Sequence, residues 1–292
     1  MGLSSVNRLT MEGGRVSVVP GRPHPGAPAL RLSDVAIAYD GPTGQYVALE
    51  KVDLEVSRGR FLAIVGPTGC GKSTLLGAMS GLLAPARGTV HVDGERLQGL
   101  NRQAAVMFQE DALLPWKTLL ENVAFGLQLR GVRRREREDQ AREWIARVGL
   151  AGFESSFPYQ LSGGMRKRTS IAQALIVRPE ILLMDEPFSA LDVQTRQMME
   201  ANLLELWTGS GASVVLVTHD LDEAVALADE VVLLSSGPRS RVVGRYEVDL
   251  ARPRDLLGIK TTPRFGELYS AIWSDLREEV VRSYERSTRV GR

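Results

Sequence analysis

The residues with the clearest chemistry are Lys72, Ser73 and Thr74, which close the stretch Gly66-Pro67-Thr68-Gly69-Cys70-Gly71 and give it the spacing G-x-x-x-x-G-K-S/T. An ammonium and a hydroxyl directly after a glycine run suit the holding of a phosphate chain. Gly66, Gly69 and Gly71 let backbone N–H groups curl around phosphate oxygens at a helix N-terminus, where the partial positive charge favours an anion. Lys72 is then placed to reach β- and γ-phosphates, and Ser73 to ligate Mg²⁺. A glycine turn that only joins a strand to a helix needs neither side chain. Cys70, the single cysteine, lies in the same loop. It can form no intrachain disulfide, which agrees with a reducing compartment, and with no histidine near it in sequence it is not expected to be a catalytic thiol.

Other polar residues of interest end apolar runs. Ile181 to Met184 leads into Asp185 and Glu186, adjacent carboxylates at the C-terminal edge of a buried parallel strand, where ligands of α/β sheets collect. Such a pair is costly there unless used. Asp185 can hold Mg²⁺ through water, and Glu186 can polarise an attacking water. Val214 to Thr218 leads to His219, and Ala104 to Phe108 leads to Gln109. Either is bland alone, but in a parallel sheet such ends converge. Leu161-Ser162-Gly163-Gly164-Met165 precedes the helix pattern Ile171, Ala174, Leu175; Ser162 is its expected cap, and the glycines leave backbone N–H groups approachable. A second anion-ready helix start suggests that both grip the same kind of ligand. Tyr39 ends a strand pattern and could stack on a purine, although core or edge packing is the commoner use of such a ring.

The elements that must position these residues follow from periodicity. Phe61 to Val65 is a strand before the glycine loop, and Leu75, Leu76 and Met79 mark the helix after it. Leu32, Val35, Ile37 and Tyr39, then Val47 to Val56, alternate around a turn-rich Asp40 to Gly44, which reads as a hairpin-like antiparallel layer. Residues 88–93 are a further strand turned by Gly94, with His91 an ordinary strand residue. Residues 119–150 read as helical, and the charge run 133–143 places Arg134/Glu138, Arg135/Asp139 and Glu138/Arg142 at i,i+4, the pattern of a solvated helix face rather than of a nucleic-acid surface. The last strand ends near Tyr246. Beyond it, Phe265, Leu268, Ile272, Trp273 and Leu276 share one helix face, expected to pack on the chain's own domain. Residues 1–29, rich in glycine and proline and without the apolar centre of a signal peptide, read as a disordered leader in which Met1 or Met11 could be the start. Val6 occupies the position where myristoylation of Gly2 wants Ser or Thr.

Composition narrows the partners. Of 292 residues, 43% are hydrophobic and 24% charged, enough to bury a full core in one or two domains. Thirty-six Lys plus Arg against 35 Asp plus Glu leave a net charge of +1, so no global field recruits nucleic acid or an anionic membrane. No run reaches the ~18 uninterrupted apolar residues of a membrane span.

In this order the motifs resemble those of the nucleotide-binding subunit of ABC transporters, over about residues 30–245. Tyr39 matches the A-loop aromatic, Gly66 to Thr74 Walker A, Gln109 the Q-loop, Leu161 to Met165 the signature, Ile181 to Glu186 Walker B, Ser189-Ala190-Leu191-Asp192 the D-loop and His219 the switch. The resemblance implies an α/β fold: a P-loop NTPase core whose mixed sheet carries an antiparallel β layer, with an inserted α-helical subdomain at about 111–176 and a C-terminal helical extension over 246–292. It implies ATP and Mg²⁺ as cofactors, with Glu186, His219 and Gln109 in catalysis and Ser73, Gln109 and Asp185 at the metal. Nucleotide would be held by Tyr39, by Gly66, Pro67, Thr68, Gly69, Cys70, Gly71, Lys72, Ser73 and Thr74, and by Ser162, Gly163, Gly164 and Asp192. Two copies would sandwich two ATP molecules, the signature of one completing the site of the other. Lys167 and Gln173 stand where many members have Gln and Arg, which puts the local salt-bridge pattern in question.

Within the family, the stretch from Phe108 through Leu113-Leu114-Pro115-Trp116, the methionine after the signature glycines, and the tail from Leu250 to Asp255 with Thr262, Pro263 and Phe265 look like the nitrate/sulfonate/taurine importer branch. The expected role is ATP hydrolysis that powers uptake of a small solute through separate integral membrane permease subunits, at the cytoplasmic face of the cell membrane, with a substrate-binding protein acting indirectly and no nucleic acid. Leu113 to Trp116 is the expected docking segment for the permease. The competing expectation is a soluble, non-transport ABC ATPase, but residues 75–160 contain neither heptads nor a second Walker A. A relative that only binds ATP is disfavoured by Lys72, Glu186 and His219.

Overall fold

A computed structural model describes residues 10–12, 15–17, 26–41, 44–189 and 191–290. In the leader, where no element was expected, β1 (Thr10–Glu12) pairs antiparallel with β2 (Arg15–Ser17); the readings placed on Gly2 and Val6 lie outside the described residues. The alternating runs then form the expected antiparallel layer, β3 (Leu30–Gly41) against β4 (Gly44–Val56), with Leu30 opposite Val56 and Tyr39 opposite Tyr46. β5 (Phe61–Val65), buried at every position, leads through the glycine loop into α1 (Lys72–Ser80). β6 (Arg87–Val92) and β7 (Glu95–Arg96) complete the antiparallel sheet in the order β4-β3-β6-β7.

β8 (Ala104–Met107) returns the chain to the central sheet and feeds the helical insertion. There α2 (Leu119–Leu129) begins with a capping box, Thr118 with Glu121, and is followed by α3 (Arg134–Arg147) and α4 (Gly163–Leu175). The chain then alternates strand and helix: β9 (Ile181–Asp185), α5 (Val193–Trp207), β10 (Ser213–Val217), α6 (Leu221–Leu227), β11 (Glu230–Leu234) and β12 (Val242–Glu247), before the long α7 (Pro263–Val290). The central sheet runs β12-β11-β5-β10-β9-β8, parallel except for β12. It is a mixed α/β sheet with an antiparallel layer beside it.

Period two in the central strands makes two cores. Leu62 and Ile64 of β5 join Leu183, Val215 and Val217 on the face toward the antiparallel layer and α1, where Leu32, Leu54, Leu75 and Met79 pack. Phe61, Ala63 and Val65 point the other way, with Met184 and Leu216, onto α5, α6 and α7. A third cluster, including Leu119, Val123, Ile145, Leu161 and Ile176, belongs to the helical insertion. Each fully buried Leu or Ile is worth ~1.5–3 kcal/mol over an exposed one, so this patterning fixes which face of each strand meets which layer, while the parallel direction of β5, β8, β9, β10 and β11 brings their C-terminal ends to one edge.

Two side-chain expectations shift. On α3, Arg134 pairs with Glu138 at 2.7 Å and Arg142 with Glu138 at 3.4 Å, but Asp139 takes Arg142 at 3.2 Å rather than Arg135, because Arg142 lies one turn beyond both acids and reaches each. On α7, Phe265, Leu268, Ile272 and Leu276 are buried while Trp273 is 46% exposed. At about 100° per residue, Trp273 is turned off the stripe that Ile272 occupies, and Glu279, 4% exposed, continues it instead.

Candidate functional site

The turn into α1 is possible only with glycine. Gly69 and Gly71 have φ of +77° and +96°, and a Cβ at Gly66 would lie 2.9 Å from Cys70 Sγ and 3.0 Å from Leu234 O. Lys72, 6% exposed, folds its ammonium back over the loop and donates to Gly66 O (2.9 Å) and Pro67 O (3.1 Å). Cys70 is buried, and burial pushes its thiol up against the pull of the Lys72 charge. It is therefore protonated and inert, as its sequence setting implied. Tyr39 reaches the same turn, its hydroxyl donating to Thr74 Oγ1 at 3.2 Å.

The strand ends converge as a parallel sheet requires. Ser73 Oγ donates to Asp185 Oδ1 at 3.0 Å, bringing together hard oxygen donors from the start of α1 and the end of β9. Burial is the largest influence on Asp185 and raises it above the ordinary carboxylate range; the Ser73 bond opposes this, and the neighbouring Glu186 charge adds to it. Among the described residues no group of three or more His, Cys, Asp or Glu could cage a metal. The hydroxyl–carboxylate pair offers two hard oxygens, the ligand type taken by a cation such as Mg²⁺ that draws most of its ligands from phosphate and water.

Glu186 follows Asp185 with φ +43°, a left-handed conformation that costs a non-glycine residue ~1–3 kcal/mol. Its N–H donates to Val217 O at 2.8 Å, so the kink is anchored to the adjacent strand. Because Val217 is in register with Asp185, the next residues of both strands lie side by side, and Glu186 Oε2 meets His219 Nδ1 at 3.0 Å. A carboxylate and an imidazole so paired can orient a water and receive its proton.

The remaining expected residues stand apart from this cluster. The strand expected to end on Gln109 stops at Met107, and Gln109 is exposed. Its carbonyl accepts from Lys167 Nζ at 3.4 Å, while among the described residues its side chain makes no hydrogen bond to Ser73 or Asp185. Ser162 caps α4 as expected, Oγ accepting from Met165 N–H at 3.3 Å. Asp192 caps α5 through Thr195 N–H at 3.0 Å, which holds its carboxylate below the usual range. Gly164 lies close to α5: a Cβ there would be 3.2 Å from Thr195 Cγ2. Among the described residues, no hydrogen bond or ion pair joins Ser162 or Asp192 to residues 66–74 of the same chain. Of the D-loop, Ala190 lies outside the described residues.

Sequence reasoning missed what fastens these pieces. Lys167, 4% exposed, approaches Asp111 Oδ1 at 3.4 Å, and Arg166 Nε donates to Asp111 Oδ2 at 3.1 Å, so α4 is tied to the loop after β8. The unusual lysine makes a buried ion pair there. Arg196 joins Asp220 Oδ2 (2.8 Å) and Leu191 O (3.2 Å). The one available signal was Asp220 three residues before Glu223, a capping pattern ahead of α6. In the expected docking segment, Trp116 is 71% exposed whereas Leu113 and Leu114 are half-buried. Asn122, fully buried, clamps the backbone of Leu114 with bonds of 2.7 and 3.1 Å.

Comparison with known proteins gives concordant results. The family described as ABC transporter matches residues 49–189. The chain is 43% identical over 254 residues to an uncharacterised ABC transporter ATP-binding protein of Methanocaldococcus jannaschii, covering 87% of this chain and 93% of that one. It is 42% identical over 255 residues to the taurine import ATP-binding protein TauB of Escherichia coli, covering 86% and 98%, and 43% identical to the Burkholderia pseudomallei TauB, covering 86% and 97%. A dimeric ATP-binding cassette solved in a post-hydrolysis state with ADP and Pi superimposes with a TM-score of 0.67 at 31% identity, covering 76% of this chain and all of that one.

Proposed function

The chain belongs to the ABC transporter family, as an ATP-binding subunit of the nitrate/sulfonate/taurine type and an ATP hydrolase, and on that premise we propose that it powers uptake of a small anionic or zwitterionic solute of the taurine, sulfonate or nitrate class. The observation that carries the reading is the meeting, at one sheet edge, of the Ser73–Asp185 pair (3.0 Å), the Glu186–His219 pair (3.0 Å) and the Lys72-bearing glycine loop. In this reading the loop and Lys72 hold the phosphates, and Tyr39 stacks on the base. Ser73 and Asp185 would hold Mg²⁺, with Gln109 as the further side chain expected at the metal. When bound, that ion neutralises charge on the transferred phosphoryl group. Glu186 orients and deprotonates the attacking water, and His219 holds Glu186 in place.

A second copy of the chain completes the site. Ser162, Gly163, Gly164 and Asp192 make no hydrogen bond or ion pair to their own phosphate loop among the described residues, and the structural neighbour with ADP and Pi is a dimer. No helix among the described residues is long and apolar enough to cross a bilayer, and in this reading the solute passes through separate membrane subunits, as the import names of the relatives suggest. In the same reading the chain acts as a peripheral subunit on the cytoplasmic side of its permease. Uptake of labelled taurine, an alkanesulfonate and nitrate tests the solute class in cells deleted for this chain and complemented with wild type or Glu186→Gln. Wild type should restore uptake of one of these solutes and Glu186→Gln should not. Normal uptake of all of them in the deletion strain would overturn the assignment.

A further inference from the structure

Behind His219 the fold buries carboxylates that neither phosphate binding nor the hydrolytic pair uses. Thr218, 2% exposed, immediately precedes His219. Its N–H donates to Ile64 O at 3.2 Å, its hydroxyl accepts Asp220 N–H at 3.0 Å, and the same hydroxyl donates to Glu223 Oε2. Glu223 is 3% exposed, and its Oε1 is buried without a partner.

The charges that act on Glu223 come from α5 and from the cap of its own helix. From α5, Glu200 is 1% exposed with Oε2 also buried and unpartnered, and Arg196 is committed to Asp220 and Leu191. On α6 itself, Asp220 caps the helix through Glu223 N–H at 3.2 Å and turns its other oxygen to Arg196, while Asp222 is exposed. Lys260 acts on Glu200, and Tyr269 of α7 feels Asp220 and Asp222. Among the described residues no cation makes an ion pair with Glu223, and Arg196 acts on it only through space. A buried acid with one oxygen unbonded and other carboxylates about it is stable only when neutral. Burial accordingly pushes Glu223 up to about 8 and Glu200 up to about 6, with the Thr218 bond pulling Glu223 the other way.

We propose that Glu223 is a positioning residue for ATP hydrolysis: as the strut beneath Thr218 it fixes where His219 meets Glu186, and it releases that hold when it ionises. As the neutral acid, Glu223 shares one hydrogen bond with the Thr218 hydroxyl and adds no charge to the buried cluster. Ionised, it faces Glu200 with Oε1 unsatisfied. Relief then requires the first turn of α6 to swing toward water, carrying Asp220, Thr218 and the adjoining His219 away from Glu186. The inference rests on the reading of Glu186 and His219 as the hydrolytic pair.

The test is the pH dependence of kcat and KM for ATP, measured on the full chain as wild type, Glu223→Gln and Glu223→Ala, with Glu186→Gln in parallel. Wild-type kcat should fall as pH rises through about 8 with KM little changed. Glu223→Gln, an amide with the shape of the neutral acid, should match wild type near neutrality and hold its kcat beyond about pH 9, where the ionised acid dominates in wild type. Glu223→Ala should lose ~10-fold or more in kcat with KM unchanged, as expected when only a transition-state contact is weakened. A Glu223→Gln profile superimposable on wild type would overturn the proposal, as would wild-type kcat in Glu223→Ala. Should Glu223→Ala fail to fold, the Glu223→Gln profile alone decides. Full hydrolysis in Glu186→Gln would instead sink the hydrolytic-pair reading, a result distinct from either of these.

Discussion

Lys72 and Glu186 lie in one cluster but are held by different partners, and the partners separate their roles. The Lys72 ammonium rests on the Gly66 and Pro67 carbonyls, oxygens it can exchange for those of a phosphate, so removing it should weaken nucleotide binding. Among the described residues Glu186 bonds to His219, Val217 and Ser189 and makes no hydrogen bond or ion pair to the glycine loop, so neutralising it should cost rate and leave affinity intact. We expect Glu186→Gln to lose ~10²–10⁴-fold in hydrolysis while binding ATP as wild type does and accumulating as an ATP-bound dimer. Lys72→Ala should lose ATP affinity itself. Titration of a fluorescent nucleotide alongside a phosphate-release assay checks both, and equal affinity in wild type and Lys72→Ala would refute the division.

The glycine loop is also supported from the far end of the chain. Glu279 of α7 accepts Ser236 N–H at 2.8 Å, and Arg286 donates to Gly237 O at 3.0 Å. The connection between β11 and β12 so held lies against the phosphate loop, where a Cβ on Gly237 would come within 3.1 Å of Gly69 O. Glu279→Ala strands a buried N–H and should cost ~1–3 kcal/mol of stability with a measurable loss of ATP affinity, whereas Trp273→Ala, on the exposed side of α7, should change neither. Calorimetric unfolding with and without nucleotide distinguishes them; unaltered affinity in a destabilised Glu279→Ala would confine α7 to a structural part. Element type was legible wherever one residue pattern decided it, as with the buried β5 beside a glycine loop or the Ser162 cap of α4. What escaped was long-range pairing. Glu279 looks like one more charged helix residue until Ser236 is brought to it, and Lys167 looks like a departure until Asp111 arrives beneath it. Gln109 reads as a polar strand end, but the strand stops at Met107, and where Gln109 sits relative to Ser73 and Asp185 depends on a loop conformation that no local pattern encodes.

At the scale of the whole molecule, the phosphate loop and the signature helix start are the two N-termini expected to bind anions, and among the described residues no hydrogen bond or ion pair joins Ser162 to residues 66–74 within one chain, which is why the proposed working unit is a pair of chains. In the proposed function such a pair also grips membrane subunits, and the segment after β8 is the place to look. Its chemistry is divided. Leu114 is half-buried, with its backbone clamped by Asn122, while Trp116 leaves 71% of its surface in water, an apolar ring with little support from its own domain. The loop's other end, Asp111, is ionically fastened to the signature helix through Arg166 and Lys167. A helix seated against Trp116 would therefore be mechanically connected to the signature that closes on the partner's ATP. Trp116→Asp should leave the fold and basal ATP hydrolysis of the isolated chain at wild-type levels, because no buried group is lost, yet abolish co-purification with the permease and solute uptake. Leu114→Asp should lower stability by ~1–3 kcal/mol through partial burial of a charge, so its loss of uptake would not by itself identify a docking surface. Normal assembly and uptake with Trp116→Asp would move the docking surface elsewhere on the helical insertion; unfolding of Trp116→Asp would show that the exposed ring packs against something in the free chain.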